Sequence, residues 1–203
     1  MAAIELGNTI GALEISVLFS CFFMGMLSVQ TYVYYYNFPN DALWIKLWVA
    51  ILWFFELGHL ISIAQSLYAG TITGWGNPEA LVRFIGLAIS PLLAGVVSTM
   101  VQLFFCRRIQ VMGQPYFAAA CCALTFLRFV ASFATAIIGL TYHAIVPFLA
   151  DWGWLMTTYI SLGAAIDMLI PMCLCWKLRE SRESSFSGTA NMIDRLMLWT
   201  IRV

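Results

Sequence analysis

The amino-acid sequence predicts an all-α integral membrane bundle, with five full transmembrane helices and a short sixth helix that is amphipathic or truncated. Three observations carry this reading. Of 203 residues, 62% are apolar and only 10% charged, with a mean hydropathy of +0.88. A soluble domain carries about 25% charged residues and has nowhere to hide so much apolar surface. The apolar residues also fall into five runs, each longer than the roughly 20 residues a helix needs to cross the hydrocarbon core. Finally, Lys and Arg collect in alternate connections between those runs. The ten basic and ten acidic residues cancel, so no basic face points to nucleic acid.

The opening segment MAAIELGNTIGALE has no basic run, and its apolar stretch outlasts the roughly 7–15 residues of a signal-peptide core. It reads as a retained first span, 9–34. The next four spans are 44–68, 81–106, 116–142 and 152–176, which closes a bundle over residues 1–176. Helix is forced in each, because lipid cannot satisfy open backbone groups. The connections carry turn residues: Pro39-Asn40-Asp41, Gly74 with Gly76-Asn77-Pro78, Gly113 with Pro115, and Pro147. All are short, so consecutive helices are expected to be antiparallel neighbours. Pro91 and Pro171 fall inside spans three and five, where they free carbonyls and kink the helix. Gly25, Gly95, Gly139, Gly163, Ala164 and Ala165 suggest close helix contacts.

Residues 177–191 form a polar loop, and 192–203 (MIDRLMLWTIRV) begin a sixth helix too short to span. Asn191 is its expected N-cap, with Asp194 at the third helical position. Arg195 and Arg202 share a face, which suits a helix lying in the interface; the other reading is a sixth span cut short.

Orientation follows from the basic residues. The connections after helices one, three and five hold Lys46, then Arg107 and Arg108, then Lys177, Arg179 and Arg182. The remaining connections hold none, unless Arg83 at the start of span three is counted. The positive-inside rule then puts the N-terminus outside. Trp75, Tyr142, Trp152 and Trp154 mark the outer interface, and Tyr34, Tyr35, Tyr36, Trp44, Tyr116 and Trp176 the inner one. The basic inner residues offer contacts to anionic lipid or a cytosolic partner, although setting topology is role enough for them. The membrane is expected to be the plasma membrane, by default rather than by any address in the loops.

All six cysteines lie inside apolar stretches without metal-type spacing, and Cys121 and Cys122 read as small packing residues. Cys106, Cys173 and Cys175, near the inner face, are positions where palmitoylation is conceivable.

An ionisable residue inside a span costs about 2.5–3.5 kcal/mol on insertion scales and is a functional candidate by default. At 1.5 Å per residue, Glu56 lies about 18 Å from the inner end, His59 about 22 Å, Arg128 about 18 Å and Asp167 about 14 Å. These four are expected to share one slab and to point into the bundle. Glu56, His59, Ser62 and Ser66 also fall on one face of helix two. Glu14 and Arg83 are expected to pair near the outer end. Arg128 and Asp167 read as an interhelical ion pair, or as counter-ions for a ligand. Glu56 and His59 read as a hydrogen-bonded clasp, with a proton or ligand site as the sharper alternative.

A metal centre is disfavoured, and no cofactor is expected. Di-iron bundles use Glu-x-x-His twice with two further glutamates, whereas Glu56 and His59 supply it once. No nucleophile elbow, phosphate loop or dinucleotide fingerprint is present, so the chain does not read as an enzyme. The leading reading is a receptor-like or scaffold bundle with a buried polar site. A small-molecule or proton-coupled transporter comes second, without the repeats that mark many carriers. A membrane hydrolase using Glu56 and His59 comes last.

The ordered pieces GALEISVLFS, QTYVYYYNFPNDALWIKLWVAILW, ELGHLISIAQSLY, WGNPEAL and VQLFFCRRI cover nearly the whole chain. In that order they resemble a large fungal family of multi-pass membrane proteins, known chiefly as a domain of unknown function and abundant in mushroom-forming fungi. The family's segment after helix five, F-x-x-T-D-x-M-I-N-x-L, is matched by Phe186, Thr189, Met192, Ile193 and Leu196, with Ala190 and Asp194 departing from it. The resemblance implies a seven-helix bundle with its N-terminus outside, of which this chain carries five helices and the start of the sixth. It also makes Glu56 and His59 counterparts of an acidic-x-x-His pair in the family. No activity, ligand or partner comes with it.

Overall fold

The computed structural model describes residues 6–73, 85–142 and 145–183. All regular structure among them is helical: α1 Leu6–Asn37, α2 Leu43–Tyr68 running into a π-helical turn at Ala69–Thr73, α3 Ile85–Val111, α4 Pro115–Tyr142 and α5 Ile145–Glu183. Each carries a stretch long and apolar enough to cross a membrane, which fits a multi-pass integral membrane protein. Residues 74–84, with Trp75 and Arg83, and residues 184–203, with the expected sixth helix, lie outside the described residues.

The chemistry at the ends explains where helices stop. At the C-terminus of α3, Gly113 takes φ +85°, a left-handed conformation that costs a glycine nothing. Its N–H donates to Gln110 O, and that of Gln114 donates to Ile109 O, the two bonds of a Schellman motif. Pro115 opens α4, where its missing N–H would have no intrahelical acceptor anyway.

The same argument applies to Pro147, which the sequence reads as a turn residue. It lies in the first turn of α5, so the helix begins at Ile145, ahead of the apolar run at 152. At its other end α5 continues to Glu183, so residues 177–183 of the expected polar loop are helical.

Between α1 and α2 the chain reverses over Phe38–Asp41, and side chains hold the reversal. Tyr34 donates its hydroxyl hydrogen to Asp41 Oδ2 at 3.0 Å, Tyr35 donates to the carbonyl of Lys46 at 2.7 Å, and the Lys46 ammonium reaches the carbonyl of Pro39. Two of the tyrosines assigned to the inner aromatic belt therefore also pin a loop.

The chain divides into two compact units, Met1–Met100 with Arg128–Tyr159, and Val101–Leu127 with Ile160–Val203. In the first unit α1 packs along α2, where Trp53 Nε1 donates to Ser28 Oγ at 2.9 Å. The opposite side of α1 presents Leu18, Phe22, Val29 and Tyr32 outward, as a lipid-facing helix should.

Within this unit, α2, α3 and α4 approach through small residues. A Cβ added at Gly86 would collide with the carbonyl oxygen of Ser62, and one at Gly95 with the hydroxyl of Ser132. One at Gly139 would sit 3.4 Å from the Cβ of Ala88. Lipid tails are as apolar as leucine, so close backbone approach and hydrogen bonds, rather than hydrophobic burial, must drive such contacts.

The second unit has a more conventional apolar core. Cys106 and Ile109 of α3, Ala118 and Cys121 of α4, and Ile166, Ile170 and Leu174 of α5 form one buried cluster. Each set follows helical i, i+3 or i+4 spacing, so a single face of each helix turns inward. All six cysteines are free. Cys106, at 2% exposure, serves as a packing residue and cannot be reached for acylation, while Cys175 is exposed.

The glycine contacts generate a test. Gly86→Ala should destabilise the protein by about 1–3 kcal/mol, because the obstacle is backbone that cannot rotate away. At Gly25, where the sequence suggests a close contact, an added Cβ meets nothing within 4 Å, so Gly25→Ala should be neutral or stabilising by up to about 1 kcal/mol. Unfolding of the purified protein from mild to denaturing detergent would compare the two.

Candidate functional site

The polar stripe expected on α2 is present, and its burial is graded. Ser66 is 2% exposed and Ser62 8%, whereas His59 and Glu56 are only half-buried. The two serines are consumed in packing: Ser62 Oγ donates to the carbonyl of Gly86 on α3 at 2.7 Å, and Ser66 Oγ to the carbonyl of Ser62 at 3.0 Å. His59 Nε2 is hydrogen-bonded to Ser90 Oγ of α3 at 3.0 Å. Glu56, one helical turn before His59, is close enough to act electrostatically on its imidazole.

On the other side of α3, Ser132 of α4 donates to the carbonyl of Pro91 at 2.5 Å and is fully buried. The first half of α3 is thus held from two sides by side chains of α2 and α4. Arg128, also in this unit, places its guanidinium over the ring of Tyr159, 5.5 Å from the centroid. Such a cation–π contact is worth about 0.5–2 kcal/mol.

Glu56, His59 and Arg128 belong to the first unit and Asp167 to the second. Asp167 is exposed rather than turned into the bundle as the sequence suggests, because its neighbour Ile166 takes the inward face of α5. Its Oδ1 accepts a hydrogen bond from Gln102 Nε2 of α3 at 2.8 Å. Gln102 is 2% exposed, and its Oε1 is buried with no hydrogen-bond partner. Thr125 of α4 is 1% exposed and its hydroxyl is likewise unpartnered. The contact between Cys106 and Cys121 sets the register of α3 against α4, and one turn along each helix from that contact come Gln102 and Thr125. This level of the second unit therefore holds an ionisable residue and two neutral polar ones.

The remaining candidates are simpler. Glu14 is exposed on α1, and its expected partner Arg83 lies outside the described residues. Arg107 is exposed and Arg108 half-buried at the end of α3, while Lys177, Arg179 and Arg182 lie on the extended last turns of α5.

The sequence pointed to ionisable groups and, on α2 alone, to the neutral Ser62 and Ser66 beside them, so Ser90, Gln102, Tyr159, Thr125 and Ser132 on the other helices were missed. The signal was available: the desolvation argument that singles out Asp167 also applies to an amide or hydroxyl in an apolar run, at lower cost. No family model matches the chain, and neither a curated protein nor a solved structure matches it.

Two substitutions test the second unit. Gln102→Leu removes the donor from a carboxylate within a span and should cost about 1–3 kcal/mol. Thr125→Val replaces a buried unpartnered hydroxyl with a methyl group of the same shape. It should be neutral or stabilising by about 1 kcal/mol. Chemical or thermal unfolding in one detergent would give both values.

Proposed function

We propose that the protein is a receptor-like or scaffold bundle whose half-buried Glu56–His59 patch takes a ligand. The observation that carries this reading is the graded burial along α2. Ser62 and Ser66 are sealed and bonded to backbone carbonyls, as members of a structural clasp would be. Glu56 and His59 lie on the same face and remain partly open. Mid-span ionisable groups are retained against their insertion cost when they have work to do.

The topology belongs to the same proposal: N-terminus outside, with the end that carries Lys46, Arg107 and Arg108 facing the cytosol and its anionic lipids or a protein partner. So does membership of the fungal multi-pass family, which the order and spacing of the matching segments support. The plasma membrane is the proposed location.

Cysteines placed singly at 56 and 59, in a background whose native cysteines are replaced by alanine, test the assignment through membrane-impermeant thiol reagents. A ligand site predicts modification from one side of the membrane. Modification from both sides indicates a transport path, and from neither a closed clasp; either result contradicts the proposal.

A further inference from the structure

We propose that Ser90 and His59 form a nucleophile and its general base, with the nearby charge of Glu56 favouring the protonated base, for acyl transfer from lipid-soluble esters. This deepens the ligand-site reading and rests on it. The starting point is the unusual partner of Ser90. Serine and threonine hydroxyls inside these helices commonly donate to the carbonyl four residues earlier, as Ser28 does to Met24, Thr99 to Gly95 and Thr135 to Ala131. For Ser90 that carbonyl belongs to Gly86, which accepts the Ser62 hydroxyl at 2.7 Å in addition to its own helical bond. Both lone pairs are thereby occupied, and the Ser90 hydroxyl turns to His59 Nε2 at 3.0 Å. The distance lies within the roughly 2.6–3.2 Å that joins a nucleophile to its base.

The rest of the arrangement has matching roles. Nε2 faces Ser90, and Glu56, a turn back along α2, acts on the ring through its charge rather than through a hydrogen bond. A negative charge a turn away favours the imidazolium formed when Ser90 loses its proton. Ser90 and His59 are both half-buried, in contrast to the sealed Ser62 and Ser66.

In the first step Ser90 Oγ bonds to the ester carbonyl carbon and its proton passes to His59 Nε2. The C–O bond to the alcohol breaks, and the alcohol leaves with that proton. A water molecule then gives a proton to His59 and attacks the acyl carbon. The Ser90–acyl bond breaks, the carboxylic acid departs, and His59 returns the proton to Ser90. The net change is ester plus water to acid plus alcohol.

The residue after Ser90 is Pro91, which has no N–H to stabilise the developing oxyanion. Turnover of unactivated esters should therefore be slow, and covalent trapping is the sharper readout.

The test uses the full chain in nanodiscs of ether-linked lipid, treated with a long-chain alkyl fluorophosphonate. Ser90 Oγ displaces fluoride, and the adduct is located by peptide mass spectrometry. The expected result is an adduct on Ser90, with labelling slowed by about 100-fold or more in His59→Ala. His59→Gln, which keeps a hydrogen bond but supplies no base, should be slowed as much, and covers the case in which His59→Ala does not fold. Glu56→Gln should lower the maximal labelling rate and leave the half-saturating probe concentration unchanged. No adduct on wild-type protein, an adduct elsewhere, or a wild-type rate in His59→Gln would overturn the proposal. If the cysteines at 56 and 59 remain reachable from one side while Ser90 stays unlabelled, the chemistry fails and the ligand site stands. If neither cysteine is reachable, both readings fail.

Discussion

The hydrogen bonds that side chains of α2 and α4 make to α3 are the constraint on which the first unit depends. In hydrocarbon there is no water to satisfy a stray hydroxyl, imidazole or carbonyl, so a polar group within a span needs a partner from the chain itself. Ser62 finds the carbonyl of Gly86 and Ser132 that of Pro91, while at the half-open end of the seam His59 meets the hydroxyl of Ser90. Each bond requires helices closer together than large side chains permit. That is why Gly86 faces Ser62 and Gly95 faces Ser132.

The result reverses the polarity of a soluble protein. Thr125, Ser66 and Ser132 are as deeply buried as Ile166 and Cys106, while phenylalanines, leucines and tyrosines of α1 look outward. Burial earns little where the solvent is itself apolar, so dispersion and hydrogen bonding decide which surfaces meet. The second unit solves the same problem differently. Its core is an aliphatic and thiol cluster from α3, α4 and α5, and Gln102 donates to its mid-span carboxylate, Asp167.

Much of the fold was legible because bilayer thickness is a physical ruler. Runs of apolar residues longer than that ruler can only be helices, and the five appear in the expected order. Their ends were harder to read. Pro147 punctuates the sequence like a turn but stands inside a first turn, and α5 outlasts its apolar run because a helix can continue into polar surroundings. At the candidate site the α2 stripe was readable from spacing alone. Its partners were not: Ser90 lies 31 residues from His59, and Gln102 lies 65 from Asp167, in runs where each looks incidental. Only packing reveals which neutral polar residue answers which ionisable one.

The functional reading follows from where the hydrogen-bonded seam opens. Its sealed part fixes α2 against α3, and its half-open part holds an acid, an imidazole and a hydroxyl directed by a neighbouring serine. The most direct measurement of the underlying claim is a double-mutant cycle between His59 and Ser90, with stability read from unfolding in detergent. The account predicts a coupling free energy of about 0.6–1.7 kcal/mol, the range of interhelical hydrogen bonds in membranes. Additive effects of the two substitutions would contradict it.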